Sequence, residues 1–147
     1  MMKDIHSGVT ALVALAAAAL DADENGETID LKGYDGCLFV LNVGVGGITF
    51  NGTNKVDFIM EESDDDSTWT AVADRDILGQ AATVVDGKVR TLSAAHAAAA
   101  TYRFGYKGYK RYVRIVADFS GTHGTATPMS AVAILRGMDN PQADQAA

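Results

Sequence analysis

Hydrophobic and polar positions alternate with a period of two through much of this chain, and that period marks strands. The clearest case is Lys55 to Glu62, which sets Val56, Phe58 and Met60 on one face and Asp57, Ile59 and Glu61 on the other. Arg111 to Phe119 repeats the pattern with Val113, Ile115, Ala117 and Phe119 inward, and Ala126 to Arg136 follows across the turn Gly121 to Thr125. Cys37 to Val43 differs, because Leu38 and Val40 make its second face apolar as well. A strand of that kind belongs in the middle of a sheet and calls for cover on both sides, in part from another sheet or subunit.

Shorter signals fill the gaps. A brief strand is predicted at Thr28 to Leu31, and Thr68 to Val72 returns as a hairpin after the SDDDS turn, with Trp69 near its start. Gly44 to Asn54 reads as a flexible or bulged connection. Gln80 to Ala100 is ambiguous: a VVDGKV hairpin with Asp86 and Gly87 at its tip precedes an alanine-rich loop or short helix around His96. Fifteen glycines against two prolines supply the tight turns that an all-β chain needs. The expected fold is all-β, a single antiparallel β-sandwich or jelly-roll-like domain with an extended N-terminal arm. Its bounds are an arm over 1–23, a sandwich over 24–137 and a polar tail over 138–147, one domain in a chain of 147 residues.

The arm carries the apolar run Val9 to Leu20, too short to span a bilayer. A secretory signal would want a basic leader, and Lys3 is offset by Asp4. Its alanines permit a helix and its valines and leucines suit a strand, so propensity leaves both open. Val9, Leu12, Val13 and Leu15 have no evident cover inside their own segment and are candidate contacts with a neighbour.

Composition and charge narrow the function. The chain is 48% hydrophobic and 21% charged, a globular balance, with a formal net charge of −7 that disfavours duplex nucleic acid and anionic membrane as partners. One cysteine, Cys37, forms no intrachain disulfide, which fits folding in a reducing cytoplasm.

Few residues point to chemistry. Glu61, Glu62, Asp64, Asp65 and Asp66 make an acidic run without EF-hand spacing, and a solvated hairpin tip looks the same. His6, His96 and His123 show no local zinc spacing. Without a nucleophile elbow, a metalloprotease helix or a phosphate-cradling loop, no catalytic, metal or cofactor site is expected. The patch of opposite sign is Tyr102 to Arg114, where Arg103, Lys107, Lys110, Arg111 and Arg114 are interleaved with four tyrosines and Phe104. Such a segment suits a single nucleic-acid strand or a protein interface; on an acidic protein, contact with acidic protein surface is the stronger reading.

Five stretches carry a likeness in order along the chain: Met2 to Ser7 (MKDIHS), Ile29 to Gly36 (IDLKGYDG), Glu61 to Gly79 (EESDDDSTWTAVADRDILG), Tyr106 to Arg114 (YKGYKRYVR) and Ser130 to Leu135 (SAVAIL). Together they resemble a family of small tailed-phage and prophage proteins whose genes accompany head-assembly genes. The resemblance implies a virion structural protein, not an enzyme: a capsid decoration or cement protein, made in the host cytoplasm. It would bind the major capsid protein on the outer capsid surface and assemble with itself, often as a trimer. The alanine-rich arm and the Gln80 to Ala100 insert depart from the family pattern. Contacts are expected at Val9, Leu12, Val13 and Leu15 on the arm and at Tyr102, Arg103, Tyr106, Lys107, Tyr109, Lys110, Arg111 and Arg114 on the hairpin. Two other roles compete: a head-to-tail joining or tail component, and a carbohydrate or host-surface module using Trp69 and exposed tyrosines as stacking platforms.

Overall fold

The computed structural model describes residues 4–80 and 82–137, so the tail expected over 138–147 lies outside the described residues. The described chain forms strands β1 (Val9–Leu20), β2 (Glu24–Asn25), β3 (Ile29–Asp30), β4 (Tyr34–Val43), β5 (Lys55–Ser63), β6 (Thr70–Ala71), β7 (Ile77–Leu78), β8 (Lys88–Leu92), β9 (Ala100–Tyr106), β10 (Tyr112–Ser120) and β11 (Thr127–Gly137). Three-residue 3-10 turns stand at His6–Gly8 and Asp74–Asp76. Among the described residues no helix is long and apolar enough to cross a membrane.

The strands form two sheets. One runs β1-β11-β4-β9-β7; the other runs β2-β10-β5-β6, with β3 also on β10 and β8 also on β5. The pairings are antiparallel, and the two inner faces enclose the core of a β-sandwich.

Alternation decides what goes inside. On β4 the side chains of Cys37, Phe39, Leu41 and Val43 are buried, and on β11 those of Met129, Ala131, Ala133 and Leu135. Ala131 stands opposite Leu41 and Ala133 opposite Phe39, so small residues face large ones and the layer interdigitates. In the other sheet Met60 faces Ile115 and Phe58 faces Ala117, all fully buried. Burying one such large side chain stabilises the fold by roughly 1.5–3 kcal/mol.

The apolar run that left helix and strand open is extended as β1, and pairing with β11 decides it: Val9 stands opposite Arg136 and Leu20 opposite Thr127. A bulge between Val13 and Leu15 turns both Ala14 and Leu15 into the core. The edge is then tied to the other sheet, because Glu27 N–H donates to the Ala14 carbonyl at 2.7 Å and Gly26 N–H to the Ile115 carbonyl at 2.8 Å. A Cβ on Gly26 would lie 2.3 Å from both carbonyl oxygens, so only glycine fits between the sheets here.

The Asp86-Gly87 turn forms as expected, with positive φ at both residues and Lys88 N–H closing it onto the Val85 carbonyl. The expected local hairpin does not. β8 pairs with β5 instead, where Val89 and Leu92 reach the core. Strand β9, whose second half was read in the sequence as the start of the basic Tyr102 to Arg114 hairpin, is the fourth strand of the five-stranded sheet.

Candidate functional site

The two outer faces of the sandwich have opposite character. On the β2-β10-β5-β6 sheet, Arg114 stands opposite Glu61, Asp118 opposite Asp57 and Tyr112 opposite Ser63. The charges there are joined to one another. Arg114 donates to Glu61 Oε2 at 2.8 Å, and Lys55 and Lys88 close on Asp57 at 3.5 and 3.0 Å. Burial opposes ionisation of Asp57, yet hydrogen bonds from Thr91 and Lys88 outweigh it and hold this carboxyl below its usual range.

Strand alternation and the β9–β10 turn divide the Tyr102 to Arg114 segment. Arg111 makes a bidentate pair with Asp30 at 2.9 and 2.7 Å, and that pairing, with the Lys32 N–H, brings the Asp30 carboxyl down to about 2. Lys110 lies 3.6 Å from Asp64. Tyr106 is buried; its hydroxyl donates to Glu62 Oε2 at 2.7 Å and accepts from Lys110 N–H at 3.2 Å. Burial first, and then the Glu62 carboxylate, push its ionisation well above the normal tyrosine range. Tyr102 is half-buried beneath the Arg90 guanidinium, 4.3 Å from its ring centroid. Tyr109 is fully exposed at the tip with Lys107 exposed nearby, while Arg103 points to the other side of the sandwich. Thus Arg111, Arg114 and Lys110 are engaged within the chain, and Arg103, Lys107 and Tyr109 remain presented to solvent.

The outer face of the five-stranded sheet is apolar. Register sets Val13, Val132, Val40 and Arg103 in one row across β1, β11, β4 and β9. The next row is Ala11, Ile134, Leu38, Gly105 and Leu78. Val13, Leu78 and Val132 are exposed by 56, 50 and 38%, and Leu38, Val40 and Ile134 are half-buried by their neighbours in the sheet. Its two central rows carry one charged side chain, Arg103; beyond them Arg136 stands opposite Gly36, next to the exposed Asp35 at the β4 bulge, and neither arginine makes an ion pair among the described residues. Of the arm residues expected to make contacts, Leu15 is buried in the core, Val9 is half-buried, Leu12 is exposed at the sheet edge and Val13 lies on this face.

Leu38, Val40, Leu78, Val132 and Ile134 were not among the candidates read from the sequence. The signal for four of them was present: β4 and β11 are apolar at both parities, so one set of side chains must face away from the core.

The remaining polar features are structural. In the acidic turn, Asp65 accepts from Ser67 N–H at 2.9 Å and Thr68 N–H at 2.8 Å, and these bonds hold its carboxyl far below the usual range. Among the described residues no group of three or more His, Cys, Asp or Glu side chains is arranged to hold a metal ion. His123 is buried against Phe119 with Nε2 2.8 Å from the Ser120 carbonyl. Trp69 is half-buried, and the Arg114 guanidinium covers one face of its ring.

No family model matches the chain, and no curated protein matches it. Several solved structures are similar in backbone. A Bacillus endospore appendage protein, described as forming disulfide-linked pili, has a TM-score of 0.41 and 11% identity over 95% of this chain and 98% of its own. The SPBc2 prophage-derived protein YomS has a TM-score of 0.41 and 12% identity over 86% of this chain and 92% of its own. A Clostridium thermocellum xylanase 10B structure, containing CBM22-1 and GH10 modules, gives 0.36 and 13% over 95% of this chain and 28% of its own. None of these likenesses reaches a TM-score of 0.5.

Proposed function

We propose that this chain is a virion structural protein, a capsid decoration or cement protein that binds the outer capsid surface and stabilises the head. The observation that carries the proposal is the apolar outer face of the five-stranded sheet, left exposed at Val13, Leu78 and Val132 among the described residues, on a chain whose opposite face pairs its charges internally. Contiguous exposed apolar rows of this kind mark surfaces that bind protein. The ordered sequence motifs supply the class of partner, the major capsid protein. In this reading the protein is not an enzyme, is made in the host cytoplasm and acts as a homo-oligomer, a trimer by family likeness, with the exposed Tyr109 and Lys107 hairpin tip available for contact between copies. The Arg114 cover over Trp69 weighs against that ring as a carbohydrate platform.

The test is a comparison of capsids assembled with and without the protein. Capsids lacking it should rupture at a lower temperature or lower salt, and added purified protein should restore them. A reconstruction of the particle should place it over the shell; density confined to the portal vertex or tail would assign it to head-to-tail joining instead. A protein that remains monomeric and never adds to purified capsids overturns the proposal.

A further inference from the structure

We infer that in the free protein a second copy of this chain covers the outer face of the five-stranded sheet, in a two-fold contact that sets Arg136 of each copy against Asp35 of the other. The inference goes beyond the capsid reading and does not rest on it; a capsid that binds through this face has to displace the second copy.

The face is complementary to itself, and the register shows how. β11 and β4 lie side by side at its centre, with β1 outside β11 and β9 outside β4. A two-fold axis over the face, between β11 and β4 and parallel to them, exchanges β11 with β4 and β1 with β9. Each residue then meets the other copy's version of its counterpart across the axis. Ile134 meets Leu38 of the second copy, Val132 meets Val40, and Ser130 meets Asn42, so apolar falls on apolar and polar on polar. At the outer strands Ala11 meets Gly105, small against small. The stem of Arg103 lies along Val13 at the sheet edge with its guanidinium in water. The two Arg103 side chains fall at opposite edges, and no like charges meet.

The charges choose this arrangement. The irregularity between Arg136 and Gly137 leaves Asp35 as the extra residue of a bulge beside Gly36, so its carboxylate and the Arg136 guanidinium share one end of the face, both exposed. Neither makes an ion pair among the described residues. The two-fold exchange brings each Arg136 to the other copy's Asp35, twice in one contact, and such complementarity fixes register between partners. Turning the second copy end for end, with the apolar rows still in contact, sets Arg136 over Ser130, where no acid stands. A foreign surface has to supply both an acid for Arg136 and a base for Asp35. A second copy supplies both by symmetry, which is the property of an isologous interface.

The experiment weighs wild type, Arg136→Glu, Asp35→Arg, Val132→Asp and a charge control at the far end of β1, Asp21→Arg, by sedimentation equilibrium over a wide range of concentration. Melting is followed by circular dichroism. Wild type should contain an even number of chains. Arg136→Glu, Asp35→Arg and Val132→Asp should each halve that mass or weaken association at least tenfold with unchanged melting, while Asp21→Arg weighs as wild type does. An equimolar mixture of Arg136→Glu and Asp35→Arg should regain the wild-type mass, because each position then meets the opposite charge. Should Val132→Asp unfold, the mixture decides. A three-fold contact at the hairpin tips leaves the readout intact, since the face would join two such groups and the mass would still halve. A monomer, an odd-numbered assembly, single charge variants that weigh as wild type, or a mixture that stays at the halved mass each overturns the inference. Co-sedimentation with purified capsids reads the decoration proposal separately: a protein that pairs in solution and never adds to capsids sinks that proposal alone, and one that adds to capsids as a monomer sinks this inference alone.

Discussion

The Arg114 guanidinium sits 4.3 Å from the centroid of the Trp69 ring while holding Glu61, so a half-buried indole, a cation and a carboxylate form one stacked group beside the β5–β6 turn. A cation over an indole contributes roughly 0.5–2 kcal/mol, depending on how far it is desolvated. Trp69→Ala should lower stability by about 1–3 kcal/mol in urea unfolding, cation and packing together. Arg114→Ala should shift the emission of the single tryptophan to longer wavelength with the fold intact. Unchanged emission would mean that the stack does not persist in solution.

The Asp30–Arg111 pair makes a predictable contribution to acid sensitivity. Its carboxyl is held at about 2 in the fold against 3.8 when free, so the pair stabilises above pH 4 and loses that effect as pH falls from 4 towards 2. Both side chains are nearly half exposed, which limits the effect to about 0.2–1 kcal/mol. Melting temperatures measured from pH 6 to pH 2 should show a smaller acid loss for Asp30→Asn than for wild type. An identical profile would remove Asp30 from the account.

Gly26 stands between the Ala14 carbonyl of β1 in one sheet and the Ile115 carbonyl of β10 in the other. Gly26→Ala should destabilise the protein by about 1–3 kcal/mol, because its methyl group meets two backbone carbonyls and the contact between the sheets must open. Gly52→Ala, with open space around the added carbon, is the control and should change stability little. Equal melting of the two variants would contradict the close approach.

Cys37 is buried and its thiol is pushed up to about 12 by burial, so the thiolate that reacts with disulfide reagents is scarce at pH 8. Labelling should be slow in the native protein and complete in denaturant. Rapid native labelling would place the first turn of β4 outside the core.

Much of the sandwich was legible before any coordinates. Val56, Phe58 and Met60 go inward, as do Val113, Ile115 and Ala117, because a strand of period two has only two faces and one of them is polar. The arm residues and the tyrosine-rich segment were legible as unusual and not as placed. Leu15 was a candidate contact and lies in the core; Arg111 and Arg114 were candidate anchors and are held by Asp30 and Glu61, far away in sequence.

The division has a physical cause. Strand identity, turn positions and the inward sets of β5 and β10 follow from local alternation and from residues such as Asp86 and Gly87 that accept positive φ, and these are properties of neighbours in sequence. Which strands pair is not local. VTALVALAAAAL became an edge strand because β11 offered it a ladder, β8 left its own turn to join β5, and the apolar rows of Val13, Val132 and Val40 exist only once three distant segments align. Long-range register therefore decided where the apolar outer face lies, and that face bears the function proposed for the chain.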